Sequence, residues 1–88
     1  IGQLDTGLPH YQQSIRICEG SGDHYGAAVT RFNVALALLQ ANRHADALDY
    51  ARAALHGFQR YGERAQRDID DAQSLIHRIE AAARDRDP

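Results

Sequence analysis

The segment Gly22-Asp23-His24-Tyr25-Gly26-Ala27-Ala28-Val29 returns in degraded form 40 residues later as Gly62-Glu63-Arg64-Ala65-Gln66-Arg67-Asp68-Ile69. The same offset pairs Leu36 with Ile76 and Leu39 with Ile79, and one step earlier it pairs Ser14 with Ala54 and Ile15 with Leu55. Apolar positions thus recur in register. A period of about 20 to 50 residues is the signature of stacked supersecondary units, each of which buries its apolar face only against the next. A chain of this kind is expected to bind before it is expected to catalyse.

At 88 residues the chain is short for an independent domain. Ordering costs of about 1.5 kcal/mol per residue roughly cancel the hydrophobic gain at this size. Ala, Leu, Arg, Asp and Gln dominate, which is helical composition. The net charge of −2 has both signs interspersed, so no basic stripe is present to neutralise phosphates, and nucleic acid is not expected as a partner. The lone Cys18 has no intrachain partner and fits a reducing compartment, which points to the cytoplasm. The run without charge from Phe32 to Asn42 is far too short to span a bilayer, and no signal-peptide pattern opens the chain, so a membrane is not expected either.

Four helices are predicted. Gly7-Leu8-Pro9 starts the first, with Thr6 or Gly7 as cap and Pro9 in the first turn; it runs from about Leu8 to Glu19 with Leu8, Tyr11, Ile15 and Cys18 as its stripe. Gly20-Ser21-Gly22 stops it and Asp23 caps the second, about His24 to Ala41. That helix is apolar over more than half its circumference and is therefore sandwiched between neighbours. Asn42 takes the left-handed conformation that ends it. The third, about Ala45 to Tyr61, carries Ala47, Leu48, Ala51, Ala54, Leu55 and Phe58 on one side, and Gly57 marks close packing or a local weakness. Gly62 ends it. The fourth, about Arg64 to Ala83, keeps Ile69, Ala72, Leu75, Ile76 and Ile79 inward beneath a solvated outer face, and residues 85–88 form a frayed tail.

Between Arg31 and Leu55 the residues Asn33-Val34-Ala35, Leu38, Asn42, Ala47, Tyr50-Ala51 and Ala54-Leu55 stand in the order and spacing of a tetratricopeptide repeat, and the chain resembles that family. The resemblance is to a longer-period variant of the kind found in bacterial signalling and regulator proteins. It implies an all-α fold of antiparallel helix pairs stacked as a short right-handed solenoid of about four helices. Residues 8–20 would then be a half repeat, 24–61 a full repeat, and 64–83 a half repeat that also caps the stack. Unmated halves predict a fragment of a longer array. Three departures accompany the match: Asn42 stands for the usual turn glycine, the closing proline is absent, and Leu38 and Leu39 replace aromatic residues.

In this family the first helices of successive repeats line a concave groove that takes a peptide. Projected here, the groove positions are Val29, Phe32, Asn33, Leu36 and Gln40 on the second helix and Ile69, Ala72, Gln73, Ile76 and Glu80 on the fourth. Asn33 leads, because an amide offers both a donor and an acceptor to a peptide backbone. The carboxylate clamp of some members is not supported, since Val29, Asn33, Ile69 and Gln73 occupy its positions.

Other chemistries fail on spacing. His10, His24, His44, His56 and His77 form no pair at three or four residues, so no metal is expected. Cys18 and His24 lack an orienting third group. Asp68, Asp70 and Asp71 answer a helix dipole. Gly20-Ser21-Gly22-Asp23 is too short to cradle phosphate. The expectation is a non-enzymatic protein-interaction module without a cofactor that takes a protein or peptide partner. The alternative is a homodimer, in which exposed terminal helices complete the stack across two chains.

Overall fold

Three residues adopt positive φ in the turns between helices: Gly22 at 82°, Asn42 at 61° and Gly62 at 61°. They stand 20 residues apart, so the left-handed turn recurs at half the period of the sequence echo. The first two turns close identically. The Asp23 N–H donates to the Cys18 carbonyl at 2.6 Å and the Gly22 N–H to that of Glu19 at 3.1 Å; the Arg43 N–H donates to Leu38 at 2.9 Å and the Asn42 N–H to Leu39 at 3.0 Å. This is the paired Schellman closure, which requires a left-handed residue at its second-to-last position. Asn42 fills that role because a short amide side chain tolerates the conformation.

The computed structural model describes residues 2–86, with side chains over residues 7–85. Its elements are α1 (Gly2–Gly20), α2 (His24–Gln40), α3 (His44–Gln59), a 3-10 turn (Gly62–Ala65) and α4 (Gln66–Arg86). The architecture is an all-α stack in which α2 lies between α1 and α3, α4 packs on α3, and α2 and α4 barely touch. The extents are 43 × 30 × 14 Å.

Two boundaries differ from the sequence expectation. The first helix begins at Gly2 rather than near Leu8, so Thr6 and Gly7 lie inside it and Pro9 is an interior residue. Pro9 is exposed, and it carries no N–H to donate one turn back. The fourth helix begins at Gln66, after a 3-10 turn, rather than at Arg64. The cause is visible in the echo itself. The Asp23 carboxylate accepts the Gly26 N–H at 2.8 Å and caps α2, whereas its counterpart Glu63 carries an extra methylene and is not an N-cap residue. At the other end α4 continues through Asp85 to Arg86, where a frayed tail was expected; Asp87 and Pro88 lie outside the described residues.

Small residues set the spacing of the stack. Ala28 and Ala35 on α2 and Ala47, Ala51 and Ala54 on α3 are all fully buried. Gly57 extends this seam: a Cβ built there would lie 2.8 Å from the Ala28 Cβ. Backbones can therefore approach closely along α2 and α3, and the larger Val34, Leu38, Phe58, Leu75 and Ile79 fill the space around them. Among the described residues no polar or charged residue is buried.

Candidate functional site

Because α3 fills the space behind both α2 and α4, these two helices diverge in front of it and leave a cleft. Val29 and Phe32 of α2, Phe58 of α3, and Asp68 and Asp71 of α4 line it. Its volume is about 60 Å³. That is below the roughly 300–1,000 Å³ of small-molecule pockets, so it suits one side chain of a larger partner.

One end of the cleft is fixed by Tyr25. Its hydroxyl donates to Asp68 at 2.8 Å, and its ring meets Phe58 and Tyr61 at centroid distances of 5.7 Å, the latter edge-on at 86°. The hydrogen bond to Asp68 raises the Tyr25 phenol above its ordinary range, with burial and the Asp68 charge acting in the same direction. Tyr25 thus ties the start of α2 to the start of α4. Asp71, one turn beyond Asp68 on the same side of α4, makes no hydrogen bond or ion pair among the described residues and is exposed. The cleft accordingly has an apolar floor and an acidic rim.

The projected groove residues separate into two groups. On α2, Val29 and Phe32 line the cleft; Leu36 is half-buried on the same helix face, and Asn33 and Gln40 extend that face into solvent. On α4 the positions turn away. Ile69 and Ala72 are buried in the cluster around Ala54 and Phe58, Ile76 packs on the cluster around Leu38, Gln73 is exposed, and Glu80 lies 3.9 Å from Arg52 of α3. The cleft-facing residues Asp68 and Asp71 each precede a projected residue by one position, a rotation of about 100°. The late start of α4 accompanies this offset. Asp68 also occupies the first turn of α4, in keeping with the dipole role read from the sequence.

An open stack of antiparallel helices joined by evenly spaced turns, with small residues along its seam, belongs to the class of helical-hairpin repeats. A family model for the tetratricopeptide repeat matches residues 1–60, and the chain belongs to that family. No curated protein and no solved structure matches the chain. Tetratricopeptide repeats are non-catalytic modules that mediate protein–protein interaction. Among the described residues no helix is long and apolar enough to cross a membrane.

Proposed function

We propose that the chain is a protein-interaction module whose cleft between α2 and α4 receives an extended peptide segment of its partner. The observation that carries this reading is the apolar floor of Val29, Phe32 and Phe58 under the exposed Asp71, which has no partner among the described residues. An apolar side chain would occupy the floor, and a neighbouring Lys or Arg would meet Asp71 and the Tyr25-bound Asp68. Asn33 stands exposed on the α2 face that continues from Val29, without a hydrogen bond among the described residues, and would hold the peptide backbone through its amide.

The test is selection of peptides from a random displayed library on the full chain. Recovered sequences are expected to combine an apolar residue with a nearby cation, and Asp71→Lys, an exposed change that leaves the core intact, is expected to weaken their binding at least about tenfold. Peptides that bind the Asp71→Lys and Asn33→Ala variants as well as the parent chain would refute the reading.

A further inference from the structure

A second cleft opens on a different part of the stack, between the end of α1, the first half of α2 and the last turns of α3. Its volume is about 320 Å³, against about 60 Å³ for the α2–α4 cleft, and falls at the lower end of the range of pockets that hold free ligands. α3 contributes Ala53, His56 and Gly57, and Arg60, the residue that follows the helix, continues the same face. Ala53 and Gly57 keep the floor low. The walls are His24, Arg31, His56 and Arg60, opposed by the single carboxylate of Glu19.

The two guanidiniums outnumber the one carboxylate in this cleft, against a chain whose net charge is −2. Glu19 pairs with Arg31 at 2.8 Å, and that hydrogen bond, with the charge of Arg31, holds the Glu19 carboxyl below its ordinary range; the charge of His24 acts in the same direction. The pair fixes the Arg31 guanidinium at the cleft wall, where its remaining N–H donors are not engaged by any other described side chain. The side chains of Arg60, His24 and His56 have no hydrogen bond or ion pair among the described residues. Two guanidinium forks and two imidazoles around a low floor are a donor set for a tetrahedral oxyanion, because guanidinium N–H pairs match phosphoryl oxygens two at a time.

We propose that this cleft is a binding site for a phosphoryl group, with Arg60 and Arg31 as the principal donors and His24 and His56 completing the shell. The phosphoryl group is carried by a small organic phosphate or by a phosphorylated side chain of a partner. The site is separate from the α2–α4 cleft, and its success or failure does not depend on the peptide reading above.

The test is an amide chemical-shift titration of the full chain at low salt with glycerol phosphate and, separately, with a capped tripeptide centred on phosphoserine. Saturable shifts confined to the neighbourhood of residues 24, 31, 56 and 60 are expected with at least one ligand, and the tighter of the two identifies the source. Arg60→Gln is expected to weaken binding about tenfold or more, as loss of a charge-assisted hydrogen bond does, and His56→Gln to weaken it less. Arg78→Gln, an exposed change on α4, leaves it unaltered. Absence of saturable shifts with both ligands, shifts mapping elsewhere, or equal affinity in a folded Arg60→Gln chain would overturn the proposal.

Discussion

Replacing Gly57 by alanine separates two opposed effects whose magnitudes can be worked from the structure. Gly57 is an interior residue of α3, and alanine there gains about 1 kcal/mol of helix propensity. The new Cβ would stand 2.8 Å from the Ala28 Cβ, where carbon atoms in contact prefer about 3.5–4.0 Å. Both atoms are attached directly to helix backbone, so neither can swing aside and α3 must move off α2. Overpacking of this kind costs about 1–3 kcal/mol. The net expectation is a loss of about 1 kcal/mol, or a fall in Tm of about 4–8 °C for a chain of this size. Ala28→Gly alone should cost about 2 kcal/mol, from propensity and one buried methyl group. In the double variant Ala28→Gly with Gly57→Ala, the methyl group has only changed sides, so stability should return to near that of the parent. The two changes are therefore non-additive by about 3 kcal/mol, the sum of the two single losses, measured by urea denaturation of all four chains. A Gly57→Ala chain that is more stable by about 1 kcal/mol, as at an open helical glycine, would refute the claim that this seam sets the helix spacing.

Three further outcomes follow from the turns and the polar links. Asn42→Ala forces a methyl-bearing residue to φ 61° and should cost about 1–2 kcal/mol by thermal denaturation, whereas Asn42→Gly should be near neutral. The hydrogen bond from Arg31 holds Glu19 low, so its favourable contribution is complete above the ordinary carboxylate range and is lost as pH falls through the folded-state value; Arg31→Gln should move the Glu19 side-chain titration upward by NMR. The hydrogen bond to Asp68 holds the Tyr25 phenol high, so that contribution is complete below the ordinary tyrosine range and is lost as pH rises through the folded-state value. Asp68→Ala should bring the ultraviolet titration of Tyr25 down.

Much of the fold was legible because local chemistry and packing agree in the middle of the chain. Asp23 caps α2, Asn42 turns left-handed, and the alanines of α2 and α3 are buried where their spacing put them. The start of α1 is not legible because Pro9 reads as a first-turn residue, whereas here it lies inside the helix on an exposed face. The cleft was half legible. Its α2 wall follows from the period, but its α4 wall depends on where α4 begins, and the 3-10 turn at Gly62–Ala65 is set by the missing cap at Glu63. In sequence, Asp68 and Asp71 carry only the signal of dipole partners. Their spacing of three residues, matching one turn, was the available signal that they share a face. Phe58 reached the cleft from α3 through tertiary packing, which the sequence pattern does not encode.

The proposed docking face lies between α2 and α4. The most direct measurement is an amide chemical-shift map of the labelled chain titrated with a peptide selected on it. Perturbations centred on residues 29, 32, 33, 68 and 71, and lost in a folded Asp71→Lys chain, are the predicted result. Saturable binding whose shifts fall on the outer surfaces of α1 or α3 and leave those residues unmoved would contradict it.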